Sequence, residues 1–314
     1  MSQKPLIVIV GPTAVGKTGL SVELALKING EIISADSMQI YKYMDIGTAK
    51  ATPKERKGVK HYLLDEITPD EEFSVARYKE LADRYIDEII SKGKLPIMVG
   101  GTGLYVNAVT DNIKFSETIC DWDYRNQLQI LAETNGNEYL HKMLEEVDPV
   151  TAQRLHTNDT RRIIRALEVY KYTGIPISRH QEESRKEPSP YKLAMIGLTM
   201  DREWLYQRIN ERVEIMIEQG LVNEVQKLLD MGYNKEMTSM KGLGYKEIID
   251  YLNGETTFEQ AIDILKRDTR RYAKRQLTWF RRDKRIHWIH IHKEDSKKEL
   301  IEKCLKYIAE IGIM

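Results

Sequence analysis

Gly11, Gly16, Lys17 and Thr18 stand at the spacing G-x-x-x-x-G-K-[ST] in the stretch GPTAVGKT, a pattern that cradles phosphates. Glycines let the backbone turn until its N–H groups converge on an anion. A helix beginning there adds the favourable end of its dipole. Lys17 supplies a point charge, and the Thr18 hydroxyl suits a Mg2+ ion. Gly11, Pro12, Thr13, Ala14, Val15, Gly16, Lys17 and Thr18 are therefore the candidate phosphate-binding residues. A chance glycine-rich turn is the plain alternative, but PLIVIV before the loop reads as a strand and the residues after it as a helix, which is the context the motif requires. A nucleotide hydrolase also carries a second aspartate after a long apolar strand, to hold Mg2+. Here LPIMVGGTGLY ends in glycines, and HYLLDE is a weak substitute, with a short apolar run before Asp65.

A second candidate lies in EIISADSMQIYKYMDIGTAK, where Asp36 follows a short apolar strand. The carboxyl ends of parallel strands are where α/β sheets bind ligands. Asp36 can hold a metal, accept a proton or bind a substrate hydroxyl. It can also be a turn aspartate that caps a local N–H.

These groups need a scaffold. Leu6–Val10, Glu31–Ile33, Leu95–Val99, Lys192–Leu198 and His287–Ile291 read as five strands, with helices between them. One such helix is capped by Ser74 and ended by Gly93. The expected fold is α/β: a P-loop parallel sheet flanked by helices, with an all-helical insertion domain. The insertion spans 115–190, where no strand pattern occurs. Helices are expected near Asp123, through EYLHKMLEEV, and through TRRIIRALEVYKYTG between Asp159 and Gly174. KEPSPY, Lys186 to Tyr191, reads as a linker. The catalytic core is then 1–114 with 191–314.

Composition sets outer bounds. Of 314 residues, 41% are hydrophobic and 31% charged, and 48 Lys+Arg balance 48 Asp+Glu. Bulk charge names no partner, so only local clustering can. Two cysteines, Cys120 and Cys304, suit a reducing cytosol. No apolar run approaches the roughly 18 residues that span a bilayer, so a cytoplasmic protein without a membrane partner is expected. The local cluster is KRDTRRYAKRQLTWFRRDKR at 266–285, with ten basic residues against two acidic. On a helix, Arg267, Arg270, Arg271, Lys274, Arg275, Arg281 and Arg282 fall within about 140° of arc. Leu265, Tyr272, Gln276, Trp279 and Phe280 fall opposite and should pack inward. A phosphate backbone fits the basic face, a solvated surface being the plainer alternative. KGLGYK, with Lys241, Gly242, Gly244 and Lys246, offers a second, glycine-flexed loop for a backbone. His287, His290 and His292 lack the cysteine or acid set that would complete a metal site.

GPTAVGKT, ISADSMQIYKYMDIGTAK, VGGTGLY, LHTNDTRRIIRALEVY, MKGLGYKEI and AKRQLTWFRRD together resemble the tRNA dimethylallyltransferase (tRNA isopentenyltransferase) family, in family order and over nearly the whole chain. The resemblance implies transfer of a dimethylallyl group from dimethylallyl diphosphate to the exocyclic amine of the adenosine just 3′ of the tRNA anticodon. The loop would then hold a diphosphate without a nucleoside, with Mg2+ as cofactor. Asp36 matches the family's general base. Arg212, in QRINERV, best matches its arginine, and Arg208 lies one helical turn earlier; a surface salt bridge is the plainer role for either. The resemblance also implies tRNA contacts at Asp36, Ser37, Met38 and Gln39, at Thr102, at Arg125, and at Thr160, Arg161, Arg162, Ile163 and Ile164. Thr102 can instead merely shape the glycine turn. Arg267, Arg271 and Lys274 are the expected phosphate contacts of the basic helix. The expected partner is the tRNA anticodon stem-loop, bound by a monomer of the bacterial form, since no zinc-finger Cys/His set follows. Two rival readings are a P-loop kinase of small molecules or nucleotides and a non-catalytic RNA-binding protein.

Overall fold

PLIVIV becomes the middle of a six-stranded parallel sheet. The computed structural model describes residues 3–115, 121–184 and 188–314. Its elements run β1 (Lys4–Val10), α1 (Lys17–Ile28), β2 (Gly30–Ala35), α2 (Pro53–Arg56), β3 (His61–Tyr62), α3 (Val75–Ser91), β4 (Leu95–Gly100) and α4 (Gly103–Thr110). Five helices follow: α5 (Trp122–Asn135), α6 (Asn137–Val147), α7 (Pro149–Arg154), α8 (Thr160–Thr173) and α9 (Ile177–Ser184). The chain then forms β5 (Tyr191–Met200), α10 (Arg202–Glu218), α11 (Leu221–Asp230), a 3-10 turn (Ser239–Lys241), α12 (Tyr245–Leu252), α13 (Phe258–Phe280), β6 (His287–Ile291) and α14 (Lys297–Glu310).

The strand order is β3-β2-β4-β1-β5-β6. β1 therefore lies between β4 and β5, with Val8 opposite Met98 on one side and Met195 on the other. A strand buried on both faces reads as a continuous apolar run, and its alternation sorts that run between two cores. Leu6, Val8 and Val10 pack with Ile86, Val106, Ile248 and Leu265. Ile7 and Ile9 pack with Leu24, Ile209, Ile301 and Cys304.

β1, β2 and β4 end together, so the loop after Val10, Asp36 after Ala35 and the turn after Gly100 share one edge of the sheet. A Cβ on Gly100 would lie 2.1 Å from the Ala35 carbonyl oxygen. Only glycine lets these two strand ends close.

The chain divides into two compact units, 1–110 with 190–314, and 111–189. Among its described residues the second has helices and no strand, packed around Leu128, Leu140, Leu144, Ile163 and Leu167. Two details differ from the sequence reading. β3 is a sixth strand, and α7 and α9 add two short helices to the three expected. Cys120 and the linker residues Lys186 and Glu187 lie outside the described residues. No helix among the described residues is long and apolar enough to cross a membrane.

Candidate active site

The loop after β1 is shaped by two left-handed turns. Gly11 has φ 148° and Gly16 φ 102°, and Ala14 between them sits at φ 64°. A side chain on Gly11 would meet the Leu198 carbonyl oxygen at 2.6 Å. Arg208 on α10 donates its Nε–H to the Ala14 carbonyl at 2.9 Å and so braces the strained residue. Gly16 gives α1 no side-chain cap, which leaves the first N–H groups of the helix free for an anion. Not every loop donor is available. The Thr13 N–H goes to Gln276 Oε1 at 2.9 Å and the Val15 N–H to the Pro12 carbonyl at 3.4 Å. These two N–H groups are engaged within the protein.

Lys17 curls over this loop and donates to the Gly11 and Pro12 carbonyls at 2.9 and 2.8 Å. Burial, reinforced by the Arg212 charge and opposed by Asp36, lowers its ammonium to about 7. Arg212 lines the same cavity. Burial is also the main cause that lowers its pKa, with the Asp36 and Glu55 carboxylates opposing. Lys17 and Arg212 are both half-buried cations on the wall of one cavity. An anion beside both would favour their charged forms.

Asp36 lines the same cavity and also caps a local turn. Its Oδ1 accepts the Met38 N–H at 2.9 Å, an Asx turn, and its carboxylate still lines the cavity. Thr102 likewise does more than shape its turn: its hydroxyl oxygen accepts the Ser37 N–H at 3.0 Å. Gln39 is held by the Ser34 hydroxyl at 3.0 Å and itself donates to the Thr48 carbonyl at 3.1 Å. The cavity enclosed by these groups measures about 530 Å3, and Thr18, Lys17, Asp36, Gln39, Arg208 and Arg212 all line it. Asp65, weighed above as a metal aspartate, is paired with the buried Lys50 ammonium at 2.5 Å.

Tyr272 and Gln276 on α13 also line this cavity. The sequence placed both on the inward face of a basic helix, where aromatic and amide side chains usually serve packing. Gln276 is 5% exposed and donates to the Gly101 carbonyl at 3.0 Å. The Tyr272 hydroxyl meets the Thr102 and Gln276 side chains, and burial, then the Asp36 charge, raises its pKa. Periodicity showed which way these residues point, but only the fold shows that a cavity lies there.

The other candidates sort by exposure. On α13, Arg267, Arg271 and Lys274 are exposed. Asp268 sits between Arg267 at 3.0 Å and Arg271 at 3.3 Å, with Lys246 at 3.9 Å. Trp279 does not pack fully inward. It is 39% exposed, wedged where a Cβ on Gly103 would come within 2.2 Å, and its indole N–H donates to Asn107 at 2.8 Å. Lys241 lies 3.5 Å from Glu236. The N–H groups of Gly242 and Gly244 go to the Ser239 carbonyl and to Glu247 Oε2. A Cβ on Gly242 would fall 2.5 Å from Met38 Cε, so that glycine permits close packing.

Within the helical unit, Thr160, Arg161 and Arg162 lie at the start of α8 with Arg161 and Arg162 exposed. Ile163 and Ile164 are 0% and 6% exposed, so their side chains form core and cannot reach a ligand. Arg125 makes a two-pronged pair with Glu168 at 2.8 and 2.9 Å, which Arg165 joins. That geometry commits the Arg125 fork to a buried carboxylate.

The family model for IPP transferase matches residues 39–283. Over 308 residues the chain is 60% identical to the tRNA dimethylallyltransferase of Acetivibrio thermocellus, covering 98% of each. It is 57% identical over 314 residues to that of Carboxydothermus hydrogenoformans, covering 100% of this chain and 99% of the relative. Among solved structures, the full-length tRNA isopentenylpyrophosphate transferase of Bacillus halodurans is similar at TM-score 0.73 and 47% identity, covering 99% of this chain and 98% of the other. A eukaryotic dimethylallyltransferase described as acting on tRNA is similar at TM-score 0.83 and 30% identity, covering 98% of this chain and 80% of the other.

Proposed function

The chain belongs to the tRNA dimethylallyltransferase (IPP transferase) family, and from that premise we propose how its cavity performs prenyl transfer to tRNA. The donor is dimethylallyl diphosphate. Its diphosphate takes the free N–H groups at the start of α1 and the charges of Lys17 and Arg212. The acceptor is the exocyclic amine of the adenosine 3′-adjacent to the anticodon, which must leave the loop stack to enter such a cavity.

The observation that carries this reading is the meeting of opposite charges in one cavity, which Lys17, Arg212 and Asp36 all line. An adenine amine is a poor nucleophile, since its lone pair is delocalised into the ring. The free carboxylate oxygen of Asp36 orients the amine and takes one of its protons as the new C–N bond forms. The allylic C–O bond breaks, and the leaving diphosphate gains negative charge. Lys17 and Arg212, on the cavity wall, stabilise that developing charge. The products are a secondary amine on the tRNA, free diphosphate and one proton.

The residues present fit a Mg2+ ion. The Thr18 hydroxyl opens into the cavity, and among the described residues no cluster of three His, Cys, Asp or Glu forms a cage. Mg2+ is commonly held this way, by one protein oxygen or two, substrate phosphates and waters. Bound by Thr18 and the diphosphate, it would supply further positive charge to the leaving group.

The test is transfer of label from dimethylallyl-labelled diphosphate to tRNA by purified protein and Mg2+ without any nucleoside triphosphate. Labelled tRNA supports the reading. Transfer that requires ATP overturns it in favour of a kinase.

A further inference from the structure

The cavity is built from loops of two kinds. The loop after β1 is placed for the donor's diphosphate, while Asp36 and the glycine turn after β4 are placed for the acceptor. Backbone bonds within the sheet hold the strands but stop at their ends. One side chain spans the gap. Gln276 Oε1 accepts the Thr13 N–H at 2.9 Å, and Gln276 Nε2 donates to the Gly101 carbonyl at 3.0 Å. The acceptor side continues from there: Thr102, next to Gly101, accepts the Ser37 N–H at 3.0 Å, and Ser37 follows Asp36. Tyr272, one helical turn before Gln276, meets both Thr102 and Gln276.

The fit leaves no slack. A Cβ on Gly101 would lie 2.0 Å from Gln276 Nε2, so the approach exists only because residue 101 is glycine. Gln276 is 5% exposed, and its amide can satisfy one donor and one acceptor at once. An ionised glutamate of that length can only accept, and a lysine ammonium can only donate.

We propose that Gln276 is a positioning residue that sets the spacing between the diphosphate loop and the acceptor turn, so that both substrates meet in register. This rests on the functional reading above. Gln276 also lines the cavity, but the role assigned to it is to hold the two loops in register. It acts through Thr13, which fixes the loop that holds the donor, and through Gly101 and Thr102, which fix the segment carrying Asp36. Its helix turns Arg267, Arg271 and Lys274 outward, so the inward amide and the basic face are separable by mutation.

The experiment compares Gln276→Ala and Gln276→Met with the unaltered full-length protein. Methionine keeps the volume and discards both hydrogen bonds, so it guards against a variant that merely collapses. Three quantities are read: affinity for inorganic diphosphate with Mg2+ by calorimetry, affinity for tRNA, and kcat at saturating concentrations of both substrates. Leaving buried partners unpaired predicts roughly tenfold weaker diphosphate binding and at least roughly tenfold lower kcat in both variants. Affinity for tRNA should stay within about twofold, because phosphate contacts dominate it. Recovery of wild-type values by methionine would mean that Gln276 only fills space, and would overturn the proposal. So would a change in diphosphate affinity without a change in kcat, or the reverse, and so would a parallel loss of tRNA affinity. Should the unaltered protein bind no diphosphate, the functional reading itself fails, and that is seen before any variant is made.

Discussion

The Lys17 ammonium lies at about 7, lowered by burial and by Arg212 against the pull of Asp36. Diphosphate binds the charged form and, once bound, stabilises it. Above pH 7 the free protein must therefore take up a proton to bind. Affinity then falls by up to tenfold per pH unit, or about 1.36 kcal/mol, until the pH reaches the raised pKa of the complex. Between pH 7 and pH 8.5 the charged fraction drops from about one half to about one thirtieth, so wild-type affinity should fall roughly 15-fold. Lys17→Met removes this dependence along with the charge, and should bind on the order of 100-fold more weakly at pH 6.5. Calorimetric titration with diphosphate at fixed ionic strength, in buffers of different ionisation enthalpy, counts the protons directly. Titration of diphosphate itself appears in both proteins and cancels in the comparison. A wild-type profile parallel to that of Lys17→Met, with no additional proton uptake above pH 7, would refute the reasoning.

Asp36→Asn keeps the Oδ1 that accepts the Met38 N–H but loses the base. Single-turnover rates should fall about 100- to 10,000-fold with diphosphate affinity not reduced, and a rate within a few-fold of wild type would remove Asp36 from the chemistry. Replacing Arg267, Arg271 and Lys274 together with glutamine should flatten the plot of log tRNA affinity against log salt by roughly two to three units. An unchanged slope in a folded variant would place the RNA elsewhere. Gly100→Ala sets a methyl against the Ala35 carbonyl, 2.1 Å away before any relaxation. A thermal melt should show a loss of at least about 1–3 kcal/mol, and an unshifted melt would mean that the two strand ends are less closely fixed than the geometry indicates.

The sequence carried the parts of the fold that depend on local pattern. A glycine-lysine loop needs no distant residue to be recognised, and the strands of a buried parallel sheet announce themselves as apolar runs. β3 escaped because two residues, His61 and Tyr62, become a strand only through pairing with Ile32 and Ile33. α7 and α9, of 6 and 8 residues, are too short to show a helical period. The site was legible in the same uneven way. Lys17, Thr18, Asp36, Arg208 and Arg212 do meet in one cavity, although they come from three separate segments. Ile163 and Ile164 lie within a matching motif, but the helical period buries them, and a motif does not separate residues that touch a ligand from those that hold the helix. Gln276 was read correctly as inward-facing, yet its partners Thr13 and Gly101 are 263 and 175 residues away. Nothing local encodes such a bond.

The central claim is that diphosphate departure and amine prenylation are one event in one cavity. It is tested most directly by a single-turnover reaction with enzyme in excess over tRNA, Mg2+ present and nucleotides absent. Diphosphate release is counted while the modified nucleoside is mapped by mass spectrometry. One diphosphate should be released per dimethylallyl group gained, with that group on the exocyclic amine of the adenosine 3′-adjacent to the anticodon. Diphosphate release without tRNA prenylation, or a prenyl group on any other atom, would contradict it.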